Sequence, residues 1–308
     1  MTVRLTVRTA VWRSQIAQRA NAVDGLVPVV KGNGYGFGRV RLAELAAEFC
    51  DTVAVGTVNE IEGLPPSLTP VVLTPTLTAP KVAAANPAVL TIGRTEHLDA
   101  VRGWPGPVIV KLSTSLRRYG GPVSLIDDAR AAGLELAGVA VHPPIAGTDA
   151  ERVDEILAAL DGVDSSLAAW VSHLGPDAYR SLPAEREYRL RVGTSLWHGD
   201  KSALHLTADV LDVRPVTAGM SAGYPQATVE SDGHLVMIGA GTANGVTPLA
   251  DGRSPFHFER TRLSLHEGPH MHTSMAFVPA GDPLPAIGDE VDVQRPLHMT
   301  MVDEYRWI

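Results

Sequence analysis

The sequence predicts an α/β protein, with a (β/α)8 TIM-type barrel followed by a small C-terminal β domain. Eight short apolar runs recur between residues 27 and 196, separated by helix-like or loop segments. Several runs lack strict alternation, as expected for strands that are covered on both faces in a parallel sheet. From about Ala208 onward, short strands and turns follow without an evident amphipathic helix. A doubly wound open sheet is the alternative, but no glycine-rich dinucleotide motif opens the chain to favour it.

The barrel prediction depends on the order of its elements, since eight βα units over roughly 170 residues match a compact barrel. The predicted strands are Val27–Lys31, Thr52–Gly56, Val71–Thr74, Val89–Ile92, Val108–Leu112, Leu136–His142, Ala169–Leu174 and Tyr188–Leu196. The segments between them include Val40–Phe49, Asn59–Leu64, Thr95–Val101, Ser124–Ala132 and Ala150–Leu160.

We expect two domains, a barrel over residues 9–205 and a C-terminal β domain over residues 206–308. Turn signals at Ser231-Asp232-Gly233 and Ala280-Gly281-Asp282 punctuate the second part. The opening segment Thr2–Thr9 alternates like a strand. We therefore expect a strand over residues 2–8 to add to the β domain.

Composition excludes several classes of protein. The 308 residues carry 26 basic and 34 acidic side chains, a net charge of −8, which argues against a nucleic-acid surface or a polybasic membrane patch. The single cysteine, Cys50, excludes an intrachain disulfide and a cysteine-cluster metal site, and suits a reducing cytoplasm. No apolar signal core and no run near the ~18 residues of a membrane span is present. We expect a cytoplasmic protein that binds no metal, nucleic acid or membrane.

The most informative motif follows the first predicted strand, where residues 29–38 read VVKGNGYGFG. Lys31 ends the strand, and the carboxyl ends of barrel strands are where such enzymes keep their chemistry. Lysine forms Schiff bases with pyridoxal phosphate (PLP) or with a carbonyl substrate. The local pattern alone fits a solvated lysine before a flexible loop equally well.

This motif, the eight βα units and the C-terminal β domain together resemble the fold-type III PLP enzymes, and most closely the alanine racemases. Their lysine motif reads roughly V-V-K-A-N-A-Y-G-H-G. The resemblance implies that Lys31 binds PLP and that Tyr35 helps to hold its phosphate. It further implies an amino-acid substrate, interconversion of its L and D forms through an aldimine on Lys31, and a D-amino acid product of the kind used in cell walls.

Two segments in the middle of the barrel continue the resemblance. Residues 110–120, VKLSTSLRRYG, are similar to the family's V-K-V-D-T-G-M-x-R-x-G, with Ser113 and Ser115 replacing Asp and Gly. The match retains Lys111 and implies that Arg118 points toward cofactor and substrate. Residues 138–142, GVAVH, resemble the strand whose histidine, here His142, lies at the cofactor ring.

Two later segments complete the barrel match. Ser172 and His173 stand where the family carries an Asn-Ser pair. Residues 191–194, RVGT, resemble the R-x-G-I segment, which implies Arg191 at the pyridine nitrogen and Gly193 and Thr194 at the phosphate. An arginine cannot give up its proton to that nitrogen, so the ring is a weaker electron sink and proton return at Cα is favoured. This behaviour suits a racemase.

The chain departs from the family at the second catalytic base, a tyrosine that the other subunit's C-terminal domain donates. Residues 239–245, GAGTANG, resemble the family's I-G-Y-A-D-G and place Thr242 at the tyrosine. A threonine hydroxyl is a poor general base. The family's C-M-D segment corresponds to His270-Met271-His272, and its terminal S-Y-R to the segment around Tyr305.

Three functions remain open. The chain is a racemase whose second base is His270, His272 or Tyr224; or a PLP enzyme with a one-base amino-acid reaction, such as a decarboxylase; or a PLP-binding protein without turnover. Histidine titrates near working pH, which makes the first chemically sound. We rank the racemase first. The resemblance also implies a homodimer with shared active sites, in which Thr242 and His270–His272 lie near the partner's lysine.

Overall fold

The computed structural model describes residues 3–78 and 87–308. The chain divides into two compact units, one formed by Met1–Ser14 with Asp200–Ile308 and the other by Gln15–Gly199. The chain begins with strand β1 (Val3–Val7) and helix α1 (Thr9–Asn21). Thr2, where the predicted first strand starts, lies outside the described residues.

The described residues of the unit Gln15–Gly199 form eight short strands, all paired in parallel: β2 (Leu26–Pro28), β3 (Thr52–Val55), β4 (Thr69–Val72), β5 (Leu90–Ile92), β6 (Val108–Lys111), β7 (Leu136–Ala140), β8 (Ala169–Ser172) and β9 (Tyr188–Val192). Six run in the order β2-β9-β8-β7-β6-β5, and β3 pairs with β4. Single parallel bridges, Val29 to Ala54 and Val71 to Val89, connect these two groups at both ends. The strands therefore close into a ring, and the predicted (β/α)8 barrel is confirmed.

Helices and helical turns cover the strands. The helices are α2 (Arg39–Ala46), α3 (Thr95–Ala100), α4 (Leu125–Ala131), α5 (Asp149–Ala159), α6 (Pro176–Arg180) and α7 (Thr194–Trp197). The predicted segment Asn59–Leu64 contains only a 3-10 turn, Val58–Glu60. The predicted strand Tyr188–Leu196 ends early, because the chain turns at Gly193 and enters α7.

The barrel strands are buried as their composition predicts. Every residue of β3, β6 and β8 is buried, including the lysine at the end of β6. Most side chains of these strands are apolar, which explains why the strands read as continuous apolar runs rather than as alternating ones.

The second unit is mostly β: β10 (Leu204–Val216), β11 (Ser221–Ala222), β12 (Ala227–Thr228), β13 (Gly233–Ile238), β14 (Phe256–Phe258), β15 (Thr261–Arg262), β16 (Ser264–Leu265), β17 (Ser274–Pro279), β18 (Glu290–Val293) and β19 (Glu304–Trp307). Its main sheet runs β15-β14-β18-β10-β13-β17-β16, with β1 between β10 and β19. A register shift between Val210 and Asp212 lets the long strand β10 serve both halves of the sheet.

Strand β1 is fixed in this sheet by charge as well as by pairing. Arg4 is buried and forms ion pairs with Asp209, Glu290 and Glu304, at 3.0, 2.7 and 2.9 Å. Three carboxylates around one buried guanidinium satisfy its donors, which burial would otherwise make costly. Across the two described ranges, no helix is long and apolar enough to cross a membrane.

Candidate active site

The predicted barrel residues meet at the carboxyl ends of neighbouring strands. Lys31 follows β2, Arg191 lies in β9, Ser172 ends β8, His142 follows β7 and Lys111 ends β6. These five strands are consecutive in the barrel, in the order β2-β9-β8-β7-β6. Carboxyl-end positions of adjacent parallel strands lie on one face of the barrel, so the sequence motifs converge there.

Positive charge dominates this face. Burial, together with the charges of Arg191, Arg118 and Lys31, lowers the pKa of Lys111 to about 8. Burial also lowers the pKa of Lys31, with Arg118 and then Arg191 adding to the effect. Cations that lower each other's pKa form a site with unbalanced positive charge, which favours an anionic ligand.

One carboxylate moderates that charge. Glu60, in the turn after β3, raises the pKa of Lys31, although the net shift is still downward. Its carboxylate accepts a 2.7 Å hydrogen bond from the Gly56 N–H group, which fixes it in place. Glu60 lies in none of the sequence motifs, and its one sequence signal is its position just after a predicted barrel strand.

Arg191 is held by backbone carbonyls. Its Nη2 donates to the Val141 oxygen at 3.0 Å and its Nε to the Val171 oxygen at 3.3 Å. In the part of the chain that the structure describes, no carboxylate pairs with it. Burial, followed by the charge of Arg118, lowers the pKa of Arg191 to about 10. The guanidinium therefore stays protonated at neutral pH and keeps donors for a ligand.

His142 is a neutral imidazole in this setting. Its Nδ1 forms a short hydrogen bond with the Ser172 hydroxyl, and its ring lies 4.6 Å from that of His173. Burial and then the charge of Arg191 lower the pKa of His142 to about 2. Its place is therefore set by hydrogen bonding and ring contact rather than by charge.

His173 is held in an unusual backbone conformation. Its φ of 66° lies in the left-handed region, and its Nδ1 forms a 2.9 Å hydrogen bond with the Pro143 carbonyl. Such a conformation persists only where the surroundings fix it. The contact joins the loops that follow β7 and β8.

The loop that carries Arg118 is also strained and pinned. Arg117 and Tyr119, on either side of it, have φ values of 52° and 60°. Thr114 Oγ1 donates to the His142 carbonyl at 2.9 Å, which fixes the start of the loop. Arg118 is exposed, yet its charge acts on Lys31, Lys111, His142 and Arg191.

Tyr35 turns inward against the loop after β9. Its φ is 54° and its side chain is buried. The Tyr35 hydroxyl lies 2.0 Å from where a Cβ atom would stand on Gly193. Burial raises the pKa of Tyr35 to about 12, so the hydroxyl remains a donor. Thr194, which follows Gly193 and is the first residue of α7, is exposed.

Two residues outside the predicted site, Trp197 and His198, form hydrogen bonds with the segment around Lys31. Trp197 is fully buried and donates its Nε1–H to the Val29 carbonyl at 2.8 Å. The ring nitrogen Nε2 of His198 lies 2.7 Å from the Tyr35 carbonyl oxygen. Both follow directly on the RVGT segment, which is the only sequence signal for them.

The remaining predicted residues lie in the second unit. Thr242 opens a 3-10 turn and donates its N–H to the His270 carbonyl at 2.8 Å, so these two are neighbours. His270 also approaches Glu267, a residue without a sequence-based role. His272 is exposed on the same loop. Tyr305 lies in β19, paired with Leu5 of β1, and its ring stacks on Trp307.

The sequence profile described as "Alanine racemase, N-terminal domain" matches residues 13–198. The chain belongs to the alanine racemase family. Among its relatives are the alanine racemases of Salinispora arenicola, 28% identical over 283 residues, and of Streptococcus gordonii, 26% identical over 263 residues. The alignments cover 80% and 71% of this chain, and 76% and 68% of those proteins.

Solved alanine racemase structures share the fold over the whole length. The Bartonella henselae alanine racemase with covalently bound pyridoxal phosphate has a TM-score of 0.79, at 17% identity and full coverage of both chains. The biosynthetic alanine racemase of Pseudomonas aeruginosa has a TM-score of 0.73 at 18% identity, covering 100% of this chain and 99% of its own.

Proposed function

We propose that the protein is a PLP-dependent amino-acid racemase of the alanine racemase type. One observation carries the proposal: Lys31 follows the first barrel strand with its pKa lowered by burial, Arg118 and Arg191. A lysine amine acts as a nucleophile and as a proton acceptor only when it is deprotonated. The surrounding cations favour that form, so Lys31 is suited to hold the cofactor and to take a proton.

The residues at the strand ends fit PLP. Its dianionic phosphate needs hydroxyls and close backbone approach, and Tyr35, Ser172, Gly193 and Thr194 would supply them. The Tyr35 hydroxyl can lie against Gly193 only because this residue has no Cβ. The guanidinium of Arg191, fixed by two carbonyls, would donate toward the pyridine nitrogen.

PLP would supply electron withdrawal that acidifies the Cα–H bond of a bound amino acid. The chain's own residues govern where the proton goes. Lys31 Nζ would take it on one face, while the positive charge of Arg118 would help to orient the substrate carboxylate. Arg191 stays protonated, so it limits electron withdrawal by the ring and favours return of the proton to Cα.

Assembly and location belong to the same proposal. The resemblance supports a homodimer with shared sites, and the single cysteine suits a location in the cytoplasm. As the resemblance implies, the β unit, with Thr242 and His270 joined by a backbone hydrogen bond, would contribute to the site of the partner subunit. Size-exclusion chromatography with light scattering tests the dimer.

The cofactor attachment is tested by reduction with borohydride. The purified protein should absorb at roughly 420 nm, and peptide mapping after reduction should find PLP on Lys31. Lys31→Ala should lose both signals, whereas Lys201→Ala, which alters an exposed lysine in a separate turn, should keep them. A protein that takes up PLP without a Lys31 adduct would refute the proposal.

The second candidate is a PLP protein with a one-base amino-acid reaction or with no turnover. The residue that favours it is Thr242, since a hydroxyl of this type is a poor base. Deuterium exchange at Cα of L- and D-alanine separates the two functions. Exchange and interconversion of both enantiomers indicate a racemase, and exchange of the D form alone indicates a lysine base without a partner. A gain of racemisation in Thr242→Tyr would show what the native chain lacks.

A further inference from the structure

The β unit contains a histidine–carboxylate pair that the barrel motifs do not account for. His270 Nε2 lies 2.9 Å from Glu267 Oε1, within ion-pair distance, although the angle is not that of a hydrogen bond in this conformation. Both atoms are buried, and the Glu267 side chain is 7% exposed. The Tyr224 ring packs on the imidazole at a centroid distance of 4.6 Å. We refer to Tyr224, Glu267 and His270 as the His270 cluster.

The backbone at Gly223 and Tyr224 holds the Glu267 carboxylate in position. Glu267 Oε2 accepts a 3.1 Å hydrogen bond from the Tyr224 N–H. Gly223, just before it, has a φ of +77°, and a Cβ there would stand 2.7 Å from the carboxylate. The conformation therefore favours glycine at residue 223, and the absence of a Cβ leaves room for the carboxylate in this position. A buried carboxylate held by a backbone donor and set against an imidazole is a built arrangement rather than a chance surface pair.

The pair leaves one imidazole nitrogen for other chemistry. With Nε2 directed at Glu267, the carboxylate favours the tautomer that carries its proton on Nε2, and Nδ1 then has a free lone pair. The His270 side chain keeps 29% of its surface exposed, although its Nε2 atom is buried. This geometry matches a proton-transfer group whose ring a carboxylate orients.

The proposed reaction needs such a group. Inversion at Cα requires proton transfer on both faces, and Lys31 serves only one of them. Within the barrel unit, His142 is a poor partner, because its pKa near 2 leaves it without basicity. Tyr35 is poor for the opposite reason, since its pKa of about 12 keeps its proton bound. Thr242 has a hydroxyl that does not ionise near neutral pH.

We propose that His270, oriented by Glu267, is the second proton-transfer residue of the racemase and acts in the shared site that contains the partner subunit's lysine. The inference rests on the proposed function, and it selects His270 over His272 and Tyr224. His272 is exposed on the same loop, and no carboxylate among the described residues pairs with it. The Tyr224 side chain is an exposed ring that packs on His270. The bond between Thr242 N–H and the His270 carbonyl ties this residue to the position of the missing tyrosine.

The step is a pair of proton transfers without net oxidation. In one direction, Nδ1 of neutral His270 takes the Cα proton, and the electron pair of that C–H bond stays on the substrate. The partner subunit's Lys31, protonated at Nζ, then donates a proton to the opposite face, and the retained pair forms the new C–H bond. His270 is left as an imidazolium beside Glu267, and solvent restores both groups. In the other direction, the partner subunit's Lys31 is the acceptor and His270 the donor.

The test follows deuterium exchange at Cα of L- and D-alanine in the PLP-loaded protein. His270→Asn should lower interconversion about 100- to 1,000-fold, the range for loss of a general acid or base, while exchange of one enantiomer stays within a few-fold of wild type. Added imidazole should restore part of the lost rate. His298→Asn, at an exposed histidine of the same unit, is the matched control and should retain both activities.

Glu267 is a positioning residue and needs a readout beyond activity. The isosteric Glu267→Gln should reduce interconversion about 10- to 100-fold without changing KM, the usual scale for loss of a group that orients a ligand. Imidazole should not rescue it. In the cofactor-free wild type, nitrogen NMR of the imidazole should show the His270 proton on Nε2. A proton on Nδ1 would overturn the assigned geometry.

The outcomes separate this inference from the function on which it rests. If the wild type exchanges neither enantiomer of any amino acid, the racemase proposal fails. If the wild type interconverts alanine and His270→Asn does so equally well, the racemase stands and the His270 assignment is wrong. Loss in His272→Asn or Tyr224→Phe, with His270→Asn active, would assign the step to that residue instead.

Discussion

The Tyr35 hydroxyl occupies the space where residue 193 would carry its Cβ atom. The two positions are 2.0 Å apart, and the ring carbon Cζ is only 2.6 Å away. Real Cβ atoms do not approach other atoms so closely, so residue 193 must be glycine while Tyr35 keeps this place. The loop after the first barrel strand and the loop after the last are thus fitted to one another.

A methyl group at residue 193 should therefore act through Tyr35. We expect Gly193→Ala to weaken PLP affinity about 10- to 100-fold, since hydrogen bonds to charged groups contribute roughly 1.5–3 kcal/mol each. Equilibrium titration of the cofactor-free protein with PLP measures this. In Tyr35→Ala, the same glycine substitution should cost much less, because the clash is gone. Additive losses in the double variant would contradict the coupling.

The indole of Trp197 should stabilise the fold through its hydrogen bond as well as through the burial of its ring. Trp197→Phe leaves the buried Val29 carbonyl without its 2.8 Å donor. We expect the free energy of unfolding to fall by about 2–4 kcal/mol, from the unpaired carbonyl and the smaller ring together. Urea denaturation measures the loss.

A second tryptophan provides the control for that change. Trp104 Nε1 is buried and has no hydrogen-bond partner in the described structure. Trp104→Phe removes an unpaired donor, so it should cost clearly less than Trp197→Phe. Equal losses in the two variants would mean that the bond to Val29 contributes nothing.

The barrel could be predicted because buried parallel strands have a distinctive composition. Strands β3, β6 and β8 consist mostly of apolar residues. The sequence motifs at the ends of the barrel strands contain the site residues. Helix α1 was not predicted, because its apolar residues Trp12 and Ile16 are few and do not form a continuous stripe. Local sequence also extended the last strand through Gly193, where the chain in fact turns.

The contacts that tune the site were beyond sequence analysis. Glu60 and Glu267 matter because folding brings each beside a lysine or a histidine, and neither lies in a motif. The fit of Tyr35 to Gly193 joins residues far apart in the chain. Such pairs depend on loop geometry, which a residue pattern does not encode on its own.

Lys111 should destabilise the cofactor-free protein at neutral pH. Its pKa is about 8 in the fold, below the 10.5 of a free lysine, so the folded state disfavours the charged form. Between these values the unfolded chain binds the extra proton, and stability rises with pH. Below pH 8, Lys111 is protonated in both the folded and the unfolded state, and the folded state is destabilised by the full cost of burying this charge.

The change that tests this is Lys111→Met. At pH 7 we expect the variant to be more stable than wild type by on the order of 3 kcal/mol, and we expect the gain to shrink above pH 8. Paired urea titrations from pH 6.5 to 9.5 measure the difference. Lys201→Met, at an exposed lysine, should change stability by no more than about 0.5 kcal/mol. A pH-independent gain for Lys111→Met would point to packing instead of charge.

His142 should weaken the fold in acid. Its pKa is about 2 in the folded protein and 6.5 in a free histidine, so below pH 6.5 the unfolded chain binds a proton that the native state refuses. Stability from this group is complete above pH 6.5 and falls by about 1.4 kcal/mol per pH unit below it. His142→Asn keeps a neutral hydrogen-bonding group and should remove this slope between pH 6.5 and 4.5. Ser172→Ala should retain the slope, because burial, the main cause of the shift, is unchanged. If His142→Asn leaves the acid slope intact, the ring is charged in the native protein.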